Sequence, residues 1–341
     1  DLGMLVHGAL RIIGERLLRE QKQWYDIPDA DVPAICRQAT DELAPQVQHD
    51  ILMSNAYFAQ IKERLIQTLT RTVRRLSAFS AVSDFHMEGL EKSFGRPGSP
   101  WEALRFTLKN GLQVVVTGQI DRIDTLRQGD HKYVVIIDYK SGRKQLDISQ
   151  IFTGLELQLL TYMFVALLNI GGDAIPAAVL YCYVRNDKVS LEYRVSEEDK
   201  KKLYDAKGKL TGFYLDDGQV MQQLDTSMQG FSDFLNLRLK KDGTLSDSSH
   251  TLYNEAGWSH LLDWAARQIR DIAGHIGDGD ISIHPILMGQ QAPCSYCPYR
   301  PVCRFDVAVA GNTYDAAGRE DTDEMIQKMF DEGDDEHGLD E

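Results

Sequence analysis

The chain has 341 residues, 26% of them charged and 43% hydrophobic, with 27 glycines and 10 prolines. That composition excludes collagenous, wholly disordered and membrane-embedded classes, and no run reaches the ~18 apolar residues of a membrane-spanning helix. The net charge of −14 is unevenly placed: residues 313–341 hold 12 acidic against 2 basic residues, so the remainder is nearly balanced and remains compatible with a polyanionic partner.

The sequence opens on Asp1 in what reads as mid-protein helix, with no signal peptide, so a longer parent polypeptide is expected. Leu2, Leu5, Val6, Leu10, Ile13 and Leu17 form an apolar stripe at helical spacing between Asp1 and Trp24. Further helices are expected over Asp31–Leu52, interrupted at Pro45, and from Asn55 to about Ser83. On the latter, Arg71, Arg74 and Arg75 share a face, either a solvated side or a ridge for phosphates.

The period then shortens to two. His86–Phe94 predicts a strand, and Leu104–Leu108, Lys109-Asn110-Gly111 and Leu112–Leu126 predict a hairpin around an Asn-Gly turn. Tyr133–Tyr139 (YVVIIDY) predicts a central strand buried on both faces. Asp147–Asn169 reads as helix and Ala177–Val184 as strand, followed by an Asn186-Asp187 turn and a strand over Val189–Val195. A helix start is expected at Ser196–Asp199, and a helix over Glu255–Ile276. The class is α/β, with a mixed central sheet flanked by helices. The expected parts are N-terminal helices at 1–83, a core at 84–195, a helical region with a Cys-rich loop at 196–312, and an acidic, disordered tail at 313–341.

Polar residues stand where strand logic asks for apolar ones. Asp121 follows Val114-Val115-Val116-Thr117-Gly118-Gln119-Ile120, and Asp138 ends the apolar run with Lys140 two residues on. Residues i and i+2 of a strand share a face, so Asp138 and Lys140 point together, and Asp121 joins them if its strand pairs alongside. Two buried acids repel, and a divalent cation with oxygen ligands, Mg²⁺ or Mn²⁺, holds both ionised. A structural ion pair is the simpler alternative for Asp-x-Lys alone.

The wider set resembles the RecB-type branch of the PD-(D/E)XK nucleases: His7, Gly118-x-Ile120-Asp121-Arg122-x-Asp124, Asp138-Tyr139-Lys140-Ser141 and Gln158-x-x-x-Tyr162. With Asp1-Leu2-Gly3, Lys240-Lys241-Asp242-Gly243, Ser246-Asp247-Ser248 and Cys294-x-x-Cys297-x-x-x-x-x-Cys303, it is similar to the C-terminal nuclease domains of the AddB (RexB) family of helicase–nuclease subunits. That resemblance implies a restriction-endonuclease-like core and Mg²⁺ (or Mn²⁺) held by His7, Asp121, Asp138 and the carbonyl of Tyr139. Lys140 would position the attacking water, Gln158 and Tyr162 would contact the strand, and Glu91 ranks below these as a further acid. It implies single-stranded DNA as substrate and an AddA-type helicase–nuclease subunit as partner; composition points to no membrane, and the cysteine pattern without a secretion signal to a cytoplasmic setting.

Three of the five cysteines fall within ten residues, a pattern for a metal site in a reducing compartment. Spacing alone leaves zinc and iron–sulfur open. The resemblance implies a [4Fe–4S] cluster on Cys294, Cys297 and Cys303, with a fourth cysteine upstream of Asp1; Cys36 and Cys182 read as buried apolar residues. Arg71, Arg74, Arg75, Arg143, Lys144, Lys240 and Lys241 are the candidates for phosphate contact. The competing functions are a non-catalytic iron–sulfur scaffold that binds DNA and a stand-alone exonuclease of the CRISPR-associated kind.

Overall fold

The computed structural model describes residues 2–46, 55–142, 144, 146–172, 174–184, 196, 208–246, 250–289, 292–317 and 321–334. The chain forms two compact units, and neither is continuous in sequence: the first takes residues 1–103, 117–145 and 162–255, the second 104–116, 146–161 and 256–341. The units therefore cut across the four consecutive parts expected from the sequence. Expected elements over 47–52, at Asn186-Asp187, over Val189–Val195 and at 197–199 lie outside the described residues, as do Arg143 and Asp247-Ser248.

The first unit opens with three helices. In α1 (Leu2–Arg19) the stripe predicted from spacing is buried, with Leu5, Val6, Leu10, Ile13 and Leu17 all inside. It packs on α2 (Val32–Leu43), which packs on α3 (Ala56–Ser80). The Asn55 side chain caps α3 by accepting the Phe58 N–H.

A six-stranded sheet follows in the order β1-β4-β5-β6-β7-β8. Its strands are β1 (His86–Phe94), β4 (Gly118–Gln128), β5 (His131–Lys140), β6 (Ala174–Tyr183), β7 (Thr211–Leu215) and β8 (Leu252–Tyr253). Strand β4 runs antiparallel to β1 and β5, whereas β5 and β6 are parallel, so the sheet is mixed. Val134, Val135, Ile136 and Ile137 of β5 are all fully buried, as the unbroken apolar run demands. Gly212 of β7 admits no side chain, because a Cβ there would lie 1.8 Å from the Val179 carbonyl oxygen on β6. Helix α6 (Gly218–Leu224) is capped by Asp217, whose carboxylate accepts the N–H groups of Gln219 and Val220.

Two expectations change here. The hairpin around Lys109-Asn110-Gly111 exists, but only as short β2 (Arg105–Thr107) and β3 (Gln113–Val115), in a sheet of their own within the second unit. The chain leaves that ladder at Val116, whose N–H bonds to the Leu104 carbonyl, before β4 begins. The helix expected over Asp147–Asn169 is two, α4 (Ile148–Phe152) and α5 (Gln158–Ile170), broken at Gly154 with φ +75°.

In the second unit, helix α7 (Glu255–Gly277) lays Trp264 flat on Phe152 of α4, with centroids 5.2 Å apart. Strands β9 (Ile286–Met288) and β10 (Asp315–Ala317) pair in parallel. The acidic tail, expected to be disordered, carries a helix, α8 (Thr322–Asp334), packed on α4. Met325 and Met329, four apart, are buried under it, and Phe330 stacks on His260 at 4.7 Å. An apolar stripe overrides a high negative charge when the charges sit on the other face. Among the described residues no helix is long and apolar enough to cross a membrane.

Candidate active site

The site is built on one end of β4 and β5. Arg122 pairs with Ile137, and continuing that antiparallel register by one residue sets Asp121 opposite Asp138. Alternation then puts Asp121, Asp138 and Lys140 on one face of the sheet, as the sequence predicted. Asp138 is 2% exposed and Lys140 Nζ lies 2.7 Å from its Oδ2. That contact is a charge-assisted hydrogen bond from Lys140 to Asp138. Burial, then the charge of Asp121, push the Asp138 carboxyl up to about 6.

Asp121 is tied from two sides. Its Oδ2 accepts the Tyr139 backbone N–H at 2.9 Å and lies 3.3 Å from Nδ1 of His7. Helix α1 thus delivers His7 to the strand pair, and its ring meets the Tyr139 ring edge-on at 6.0 Å. Burial draws the imidazole pKa down, but the hydrogen bond to Asp121 and the charges of Asp121, Asp138 and Glu91 outweigh it, so His7 titrates above its ordinary value. Gly3, one turn earlier, passes so close to Ser141 that a Cβ would sit 3.2 Å from its Oγ, which brings the two ends of the motif together.

Glu91 stands closer to the centre of the site than its sequence context implies. In the β1–β4 ladder Leu90 pairs with Arg122 and Lys92 with Ile120, so Glu91 lies alongside Asp121. It holds φ +47°, unusual without a glycine, and the Gln119 amide donates to its carboxylate. Burial and the Asp121 charge raise its carboxyl to about 7.

The opposite face carries a buried pair that sequence reasoning missed. Arg122 grips Asp124 with two hydrogen bonds of 2.7 and 2.6 Å, both residues at most 2% exposed. Burial opposes the charge on Arg122, but Asp124 and the neighbouring Tyr139 hydroxyl raise its pKa further, so it stays cationic. Two opposite charges at i and i+2 within an apolar strand are the signal that finds such a pair.

The other candidates scatter. Tyr162 meets Phe94 edge-on at 6.0 Å in the first unit, while Gln158, one turn back on the same helix, belongs to the second. Arg74 forms a two-pronged pair with Asp29, and Arg75 donates to the carbonyls of Gly208 and Asp233, so both are engaged within the fold. Arg71, Lys240 and Lys241 are exposed, the lysines on a tight turn with Gly243 at φ +84°. Cys294 and Cys297 are half-exposed and Cys303 exposed, whereas Cys36 and Cys182 are buried with thiols pushed up to about 11. Among the described residues no three His, Cys, Asp or Glu side chains are gathered closely enough to hold a metal ion as they stand.

The model of the PD-(D/E)XK nuclease superfamily matches residues 1–304, from the helix bearing His7 through Cys303. The chain belongs to that superfamily. It is accordingly a metal-dependent nuclease domain, and its strand-end acids with Lys140 have the D…D-x-K pattern from which the superfamily takes its description. Curated relatives carry the description of an ATP-dependent helicase/deoxyribonuclease subunit. The one from Bacillus pumilus is 32% identical over 340 residues, 98% of this chain and 29% of that protein. Its counterpart in Moorella thermoacetica is 35% identical over 321 residues (93% and 28%). That of Bacillus subtilis is 33% identical over 319 residues (92% and 27%). The chain thus spans less than a third of the length of these relatives.

Proposed function

We propose that the chain is the deoxyribonuclease domain of a helicase–nuclease, cutting single-stranded DNA unwound by an AddA-type helicase subunit during double-strand-break repair and recombination. The observation that carries this reading is the convergence of Asp121, Asp138 and Lys140 at one strand end, with His7 brought in by α1. The names of the relatives, helicase/deoxyribonuclease subunits, supply the context.

The residues suit a divalent cation of the Mg²⁺ or Mn²⁺ kind. The buried Asp138 carboxyl, raised by burial and by the charge of Asp121, stands beside that second acid, and a cation between like charges relieves the repulsion. Asp121, Asp138, His7 and the Tyr139 carbonyl would hold the ion, which supplies Lewis-acid stabilisation of charge on the phosphate. Lys140 orients the attacking water and steadies the developing negative charge; in-line attack on phosphorus leaves a 5′-phosphate. Tyr162 contacts the strand, with exposed Arg71, Lys240 and Lys241 as further phosphate contacts. Cys294, Cys297 and Cys303 carry the spacing of a [4Fe–4S] ligand set, but as they stand they are not gathered closely enough to share a cluster.

In the intact protein, Lys140→Ala and Asp121→Ala should each lower Mg²⁺-dependent cleavage of a single-stranded oligonucleotide by about 10²-fold or more. Undiminished cleavage by both variants would reject the reading.

A further inference from the structure

The ring of Tyr181 has no role in the chemistry above, yet it faces the site. Tyr181 pairs with Asp138 in the parallel β5–β6 ladder and is fully buried. Two ammonium groups lie against it: Lys140 Nζ and Lys144 Nζ are each 5.5 Å from its centroid. Lys144 comes four residues after Lys140, in the segment by which the chain leaves β5. Its backbone N–H donates to the Tyr183 hydroxyl at 3.1 Å, which ties that segment to β6 two residues beyond Tyr181.

A cation over an aromatic face is held by the ring quadrupole, and two cations sharing one ring are held in register with each other. Lys140 is already paired with Asp138, and the second amine adds a further positive charge at this end of the site. A nucleic acid strand presents its negative charges as a row, so an amine fixed beside the one that serves the scissile phosphate faces the next phosphate along. The ring itself is buried and offers no open face for stacking a base.

We propose that Lys144 grips the backbone phosphate adjacent to the scissile one, and that Tyr181 is the positioning residue that holds Lys144 and Lys140 together. The proposal rests on the nuclease reading above and adds to it a second phosphate subsite, which fixes the strand's register on the cutting centre.

The test uses the full-length protein and single-stranded oligonucleotides in which one phosphate at a time is replaced by an uncharged methylphosphonate. In the parent, one replacement next to the cut slows cleavage by about 10-fold, the scale of a charge-assisted hydrogen bond. Lys144→Gln should lower kcat/KM by a similar factor, and the same methylphosphonate should then cost nothing more. Binding measured without divalent metal should lose about 0.7 from its salt slope, the share of one phosphate contact on a single strand. Lys144→Arg should restore the position-specific penalty; Tyr181→Phe should keep it and Tyr181→Leu weaken it. The proposal is overturned if the penalty at that phosphate and the salt slope are unchanged in Lys144→Gln. Full activity of Lys140→Ala and Asp121→Ala would instead remove the nuclease reading on which it stands.

Discussion

Asp138 concentrates the electrostatics of the site. An ordinary aspartate loses its proton near 3.9, whereas in the fold this one keeps it up to about 6. Between those values the metal-free native state binds a proton that the unfolded chain has released, so stability falls as pH rises. Glu91, raised to about 7, extends the fall upward. His7 acts in the same sense: its raised pKa contributes stability at low pH that fades as pH rises through the folded value. Melting temperatures of the metal-free protein should therefore drop from about pH 4 toward neutrality. Asp138→Asn should remove part of that slope, on the order of 3 kcal/mol, and Mg²⁺ should stabilise the parent at neutral pH but not the variant. A metal-free melting profile flat with pH would contradict this account. The Asp138 and Lys140 placement was legible because a strand's period of two needs no tertiary knowledge. Glu91 was named only as a lower-ranked acid, since its place depends on a left-handed backbone and a cross-strand register that nothing local announces.

At the level of the element, the β4–β5 ladder carries the proposed catalytic parts, Asp121, Asp138 and Lys140, on one face and the Arg122–Asp124 pair on the other. Arg122→Met leaves Asp124 charged and buried without its partner, which should cost about 3–5 kcal/mol in denaturant unfolding. Adding Asp124→Leu should recover most of that loss; a double variant no more stable than the single one would show that the pair does more than satisfy itself. The strand itself was plain in YVVIIDY, because only a strand covered on both sides tolerates so unbroken an apolar run. The expected long strand over Leu112–Leu126 and helix over Asp147–Asn169 were not plain. The strand divides where the small ladder ends, its Val116 N–H still bonded to Leu104, before β4 begins at Gly118, and the helix divides at Gly154 by a positive φ.

Across the whole molecule, the acidic end of the chain contributes structure to the second unit. Met329, fully buried beneath α8, should cost about 2–5 kcal/mol when replaced by alanine. Calorimetry should place that loss in the transition of the second unit, and an unaltered transition would detach α8 from the core. Composition concealed this helix because the segment's twelve acids outnumber its apolar residues, while Met325, Ile326, Met329 and Phe330 keep helical spacing regardless. The two units also exchange the chain repeatedly: it passes between them after residues 103, 116, 145, 161 and 255, the fourth time within α5. No single cut in the gene releases either unit as one uninterrupted peptide. Recombination or truncation must therefore inherit the strand-end chemistry and the cysteine loop as a package, which makes this nuclease a poor source of separable parts.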